Sequence, residues 1–277
     1  MSLPTTPRPT RVALATVLVL AATLLGACAA PALPPDARVL IFGEQHDQPD
    51  HQRQVAGVVR TLAREGRLAA VVIEMAERGR STAGLPTDAD AARVREALDW
   101  ANWDWDSYAP VVLAAVRAGV PVLGGNLPRR SMRDSMADGT LDANVTPDVR
   151  QVLAVAVREG HCGLLPAAQE PGMVRIQIAR DRSMAQTVAD AVQAAPDGQR
   201  VLLLTGALHA ARDRGVPQHL PAAGLPATAG VSVTLFGEAL DGLQADRWQP
   251  AARQPRPDPC EGLSRQLQRR SAASAPA

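Results

Sequence analysis

Five short apolar runs set the fold class of this chain. They are Val39-Leu40-Ile41-Phe42, Ala70-Val71-Val72-Ile73, Val120-Pro121-Val122-Leu123, Val201-Leu202-Leu203-Leu204 and Val231-Ser232-Val233-Thr234-Leu235. Most are continuous rather than alternating, the pattern of strands buried on both faces. Helical spacing separates them. Val55, Val58, Val59, Leu62 and Ala63 fall at i, i+3, i+4, i+7 and i+8, and Gly66 stops that helix. Tyr108, Val111, Val112, Ala115 and Val116 repeat the spacing before Gly119. Thr146-Pro147 reads as an N-cap followed by proline at N1. A long amphipathic stretch covers Gly172 to about Ala195. Strands alternating with helices predict an α/β fold, a mainly parallel central sheet flanked by helices, in a single domain over residues 36–262. No internal repeat is visible.

The N-terminus predicts export. Arg8 and Arg11 precede an apolar run from Val12 to Leu25. That run is short of the roughly 20 residues of a membrane span, but it suits the apolar region of a secretory signal. It ends in Leu25-Gly26-Ala27-Cys28, which resembles the lipobox of bacterial lipoproteins. Residues 1–27 therefore read as a signal peptide, with lipid on Cys28 as the membrane anchor. Ala29 and Ala30 follow, with no Asp to hold the protein at an inner membrane, so the expected location is the periplasmic face of a bacterial outer membrane. Residues 28–35 read as a Pro-rich flexible linker, and residues 263–277 as a disordered tail. Arg8 and Arg11 leave with the leader, so the 29 basic residues become 27 against 28 acidic ones. That balance argues against a nucleic-acid partner. Cys162 and Cys260 remain after lipidation. Disulfides form and persist outside the cytoplasm, so a Cys162–Cys260 bridge is expected.

In a parallel α/β sheet, ligands bind beyond the carboxyl ends of the strands. The residues that follow each run are therefore the candidates for a site. They are Gly43-Glu44-Gln45-His46-Asp47, Glu74-Met75, Gly124-Gly125-Asn126-Leu127-Pro128-Arg129-Arg130, and Thr205-Gly206-Ala207-Leu208-His209. One sheet edge thus collects two carboxylates, two imidazoles, an amide and an arginine pair. Taken singly, each has a bland explanation: a hydrogen-bonded structural histidine, or a carboxylate at a helix N-terminus. Their convergence is what points to a site.

Other residues are candidates to complete it. His161 lies in a Gly-flanked loop and either faces the same cleft or sits idle beside the disulfide. Met173, Gln177, Arg180, Asp181 and Met184 recur at helical spacing, as a pocket wall or as core methionines beside a surface ion pair. Trp100, Trp103, Trp105 and Tyr108 place four of the chain's seven aromatics within nine residues. They suit a flat apolar ligand, and equally a core short of phenylalanine. His51 and His219 read as solvent-facing. No Gly-x-Ser-x-Gly elbow occurs, which argues against an ordinary serine hydrolase.

Gly43-Glu44-Gln45-His46-Asp47-Gln48-Pro49-Asp50-His51-Gln52 resembles the opening signature of the ChaN-like haem-binding lipoproteins. Glu74-Met75, Trp105 with Tyr108, Asn126 to Arg129, Gly160-His161-Cys162, Gln177 with Arg180-Asp181, Met184-Ala185 and Gly206 to His209 follow in the same order. The resemblance runs from about Asp36 to Cys260. It implies haem as cofactor and a role in haem or iron uptake. Iron then needs an axial donor, for which Tyr108, His46 and His209 are candidates. Asn126, Arg129, His161, Gln177, Arg180 and Met184 would line the ligand, with Arg129, Arg130 or Arg180 on its propionates. The wider superfamily includes TIKI proteases, TraB proteins and erythromycin esterases, and implies an alternative, a hydrolase. In it His46, His209 and Glu74 would hold a divalent metal ion, with Glu44 as general base. A metal-free version would use His46 as base, oriented by Glu44 or Glu74. The sequence leaves open whether two protomers pair as a homodimer.

Overall fold

The computed structural model describes residues 33–239, 242–255, 258 and 260–262. The leader, Cys28, residues 28–32 of the linker and the tail from residue 263 lie outside the described residues.

Six strands form one sheet: β1 (Val39–Glu44), β2 (Leu68–Glu77), β3 (Val122–Asn126), β4 (Arg200–Gly206), β5 (Val231–Phe236) and β6 (Arg247–Gln249). Their order is β3-β2-β4-β1-β5-β6, and every ladder is parallel. The helices are α1 (Pro49–Arg64), α2 (Ala91–Ala97), α3 (Trp105–Arg117), α4 (Met132–Ala137), α5 (Pro147–Gly160), α6 (Glu170–Ala194) and α7 (Ala207–Ala210). The fold is the α/β architecture that the apolar runs predict. Local chemistry fixes the helix ends. Thr146 accepts from the Val149 amide at 3.3 Å, and Asp104 accepts from the Ser107 amide at 3.2 Å. Gly66 and Gly119 take φ of 65° and 72°, the left-handed turn that ends a helix.

The sheet is buried on both faces. Val39, Ile41, Val72, Leu203, Val233 and Leu235 pack against Met184, Ala185, Val188 and Val192 of α6. Strand alternation sends Leu40, Phe42, Val71 and Ile73 to the other face, where α1 and α3 pack together and bury Val55, Val59, Val112 and Val116. Each such side chain contributes about 1.5–3 kcal/mol by leaving water. A second cluster joins Leu153 and Val157 of α5 to Val174 and Ile178 of α6. Sheet and cores lie in one compact unit from Pro35 onward. No helix among the described residues is long and apolar enough to cross a membrane.

Cys162 and Cys260 are bonded, with Cα atoms 5.5 Å apart. The segment leading to Cys260 also grips the start of α1. Gln48 and Gln254 exchange hydrogen bonds of 3.1 and 2.7 Å, and Ala252 donates its amide to Asp50 at 2.8 Å.

Two expectations need correction. His51 is 3 % exposed, not solvent-facing. Its Nδ1 accepts from the Gln45 amide at 3.0 Å, and its ring stacks on Phe236. His219 is 4 % exposed, covered where the loop after β4 folds back on α6. In both cases residues distant in sequence supply the cover, and such tertiary contacts leave no periodic trace in the sequence.

Candidate functional site

Strands β1, β2, β3 and β4 end together and deliver Glu44, Glu74, Asn126 and Gly206 to one edge. Two hydrogen-bonded groups are built there.

The first centres on Glu44, which is 1 % exposed. Its Oε1 is 2.5 Å from His46 Nδ1 and accepts from the Tyr108 hydroxyl at 3.0 Å. Its Oε2 accepts from Gln52 Nε2 at 2.5 Å. His46 itself is open, with a side chain 41 % exposed. Its ring meets Trp103 edge to face, with centroids 4.7 Å apart. Burial pushes the Glu44 carboxyl up, against the pull of His46. Burial opposes charge on His46, but the hydrogen bond and charge of Glu44 prevail and raise its pKa above 6.5. The two directions agree on one picture, a proton held between carboxylate and imidazole.

The second centres on Glu74, also 1 % exposed. Its Oε1 accepts from Arg180 Nη2 at 2.7 Å, and its Oε2 from the Thr205 hydroxyl at 2.7 Å and the Gly206 amide at 2.8 Å. Arg180 Nε donates to Asn126 Oδ1 at 2.9 Å, and Asn126 Nδ2 donates to the Glu74 carbonyl at 2.9 Å. His209 Nε2 stands 3.7 Å from Glu74, and its Nδ1 is 2.7 Å from Asp181. Burial alone would raise the Glu74 pKa, but the charges of His209, Arg180 and His46 hold it down at about 2. Burial likewise opposes charge on His209, while Asp181 and Glu74 raise its pKa.

Gly206 joins the two groups. A Cβ there would lie 3.0 Å from His46 Nε2 and 3.6 Å from Glu74 Oε2. A methyl there would crowd the imidazole, which would have to shift by a few tenths of an ångström.

The structure thus brings Glu44, His46, Glu74, Tyr108, Asn126, Arg180 and His209 together. Gln177 and Met184 flank Arg180 on α6. Met184 is fully buried under Thr205, and Gln177 Oε1 is buried with no partner among the described residues. Tyr108 is 1 % exposed, and burial and Glu44 push its phenol far above its ordinary pKa. Two candidates stand apart. Arg129 pairs with Glu77 at 2.7 Å on the surface, and His161 bonds the Val157 carbonyl of its own helix at 2.7 Å.

The metal set expected of His46, Glu74 and His209 is not assembled. Among the described residues no three His, Cys, Asp or Glu side chains converge as a metal site. The physical reason is Arg180: its guanidinium sits where a cation on Glu74 would sit, and the other carboxylate oxygen is filled by Thr205 and Gly206. Sequence reasoning missed Gln52, which holds the free oxygen of Glu44. Its signal was spacing, since Gln52 falls three residues before Val55 and seven before Val59 on the buried face of α1.

Comparison with known proteins follows the same lines. Residues 34–220 match the family described as haem-binding uptake, Tiki superfamily, ChaN. Among solved structures, ChaN of Campylobacter jejuni, described with cofacial haem binding, is 22 % identical. It aligns over 76 % of this chain and 85 % of its own, with a TM-score of 0.60. An erythromycin esterase in its open conformation is 16 % identical over 73 % of this chain and 70 % of its own, at a TM-score of 0.42. The type III effector HopBA1 is 13 % identical over 78 % and 88 %, at 0.41. No curated relative matches significantly. The family match spans most of the chain and agrees with the sheet and the strand-end residues described above: this chain belongs to the ChaN family of haem-binding uptake proteins.

Proposed function

We propose that this protein is a lipid-anchored haem-binding protein of a bacterial outer membrane, facing the periplasm and serving haem or iron acquisition. Haem is held at the carboxyl edge of the sheet, with His46 as the axial donor. One observation carries the reading: His46 is 41 % exposed while a buried carboxylate fixes its Nδ1. A carboxylate on one ring nitrogen sets the tautomer and raises the basicity of the other, as it does for metal-bound histidines generally.

The surrounding residues fit a haem. Trp103 offers an aromatic edge beside His46. Arg180, 19 % exposed, and the exposed Arg130 supply cations for propionates. When bound, haem supplies the iron and its redox chemistry. The chain's own residues bind it, orient His46 and hold a proton at His46 Nδ1. Tyr108 is a positioning residue in this reading, because its hydroxyl is committed to Glu44. His209 and Asp181 steady Glu74 from below. The protein gains a Soret band on titration with haemin if the reading is right. No spectral change at micromolar haemin contradicts it.

A second reading is favoured by the same 2.5 Å contact. An imidazole oriented by a carboxylate, with a pKa raised above 6.5, is poised as a general base for hydrolysis without metal. Esterase activity lost in His46→Ala, together with no haemin binding, would select it.

A further inference from the structure

The opposite edge of the sheet carries a groove that the haem site does not use. Helices α1 and α3 follow β1 and precede β2 and β3, so their last turns lie at the amino edge of the strands. Between them is a groove of about 940 Å³ with a floor of small residues, Gly57, Ala114 and Ala118 among them. Arg60, Arg64 and Arg117 line it, and no acid does among the described residues. All three are exposed. None has an acidic partner among the described residues, and the neighbouring Glu65 is paired to Arg67 at 3.0 Å.

A separate observation says what lies nearby. The chain enters the domain at this same edge: β1 begins at Val39, and the Pro35 carbonyl accepts from Arg200 at the start of β4, at 2.8 Å. Cys28 lies seven residues before Pro35, and an extended chain of that length spans at most about 25 Å. A lipid on Cys28 therefore confines the amino edge to the immediate neighbourhood of a bilayer.

We propose that the Arg60, Arg64 and Arg117 groove docks on the phosphate headgroups of an anionic phospholipid bilayer. Docking turns the carboxyl edge, with His46, away from the membrane and toward the aqueous phase. The proposal rests on the lipid-anchor reading for proximity, and on charge for the contact itself. Each arginine near such a surface changes affinity by roughly fivefold, so three change it by roughly 100-fold.

The test uses the unacylated chain from Ala29, since the unit from Pro35 onward holds the whole sheet and core. Sedimentation is measured with phosphatidylcholine vesicles, with and without phosphatidylglycerol. The chain is expected to sediment only with phosphatidylglycerol present, and to be released by salt. Arg60→Gln with Arg64→Gln and Arg117→Gln should lose roughly 100-fold in affinity, while Arg53→Gln with Arg133→Gln and Arg150→Gln should not. Equal binding by the two triple variants overturns the proposal, as does binding blind to phosphatidylglycerol or no binding at low salt. Full competition by free inorganic phosphate at matched concentration overturns it too, since the groove then takes a free anion. Mass spectrometry of Cys28 tests the anchor separately. An acylated protein whose domain ignores anionic vesicles refutes the surface alone.

Discussion

Arg180→Met tests how the site is held together. The guanidinium is 19 % exposed and contacts a carboxylate that is 1 % exposed. Removing it leaves Glu74 buried with the Thr205 hydroxyl and Gly206 amide but without its closest cation. Breaking one side of a buried pair costs about 3–5 kcal/mol. The Glu74 carboxyl is drawn from 4.5 to about 2. At 1.36 kcal/mol per unit that corresponds to about 3 kcal/mol, shared among His209, Arg180 and His46. At the low end of the buried-pair range, a loss of about 3 kcal/mol lowers the melting temperature by about 6–12 °C in a domain of this size. The sign with pH follows from the direction of the shift. The folded pKa of Glu74 is depressed, so its contribution is present above the unfolded value of 4.5 and is lost as pH falls toward about 2. The gap between wild type and Arg180→Met should therefore be wide at pH 7 and narrow on acidification through that window. Urea unfolding followed by circular dichroism across pH measures both. Adding Glu74→Gln to Arg180→Met should recover part of the loss, because a neutral amide needs no cation. A single variant within 1 kcal/mol of wild type at neutral pH, with no narrowing in acid, refutes the reasoning.

Other outcomes follow from the same geometry. Iron binds a neutral imidazole nitrogen, so haemin affinity should fall as pH drops through the raised His46 pKa; Glu44→Gln should move that midpoint down, as read from haemin titrations at several pH values. The stability contribution of His46 has the opposite dependence, present below 6.5 and lost as pH rises through the raised value. Gly206→Ala places a methyl 3.0 Å from His46 Nε2, and should weaken haemin binding while the far-ultraviolet spectrum is unchanged, as read from haemin titration. Reducing Cys162–Cys260 opens a loop of 98 residues, a loss of up to about 4–5 kcal/mol in the chain-entropy account; denaturation with and without a dithiol checks it.

The sheet was legible because its strands are buried on both faces and so read as unbroken apolar runs. β6 was not, since Arg247-Trp248-Gln249 offers one apolar residue in three at the sheet edge. Glu44, His46, Glu74, Asn126 and His209 were legible as candidates from their place after each strand, whereas Gln52, Tyr108 and Arg180 reach the same edge from helices. The partnerships among them were not legible. Arg180 and Glu74 are 106 residues apart, and nothing in the spacing of either shows that a guanidinium occupies the position given to a metal. Tyr108 shows the same limit. Its helical face marked it for the core, its chemistry marked it for iron, and the position of its hydroxyl against Glu44 is set by tertiary packing. His51 and His219 are buried by tertiary contacts, which carry no period to read.

In the proposed function His46 supplies the iron's axial ligand. The direct measurement is the absorption and electron paramagnetic resonance spectrum of the ferric haem complex in wild type, His46→Ala and Tyr108→Phe. An imidazole-ligated spectrum is expected, which His46→Ala abolishes and Tyr108→Phe preserves. A phenolate-type spectrum that survives His46→Ala and is lost in Tyr108→Phe would contradict it.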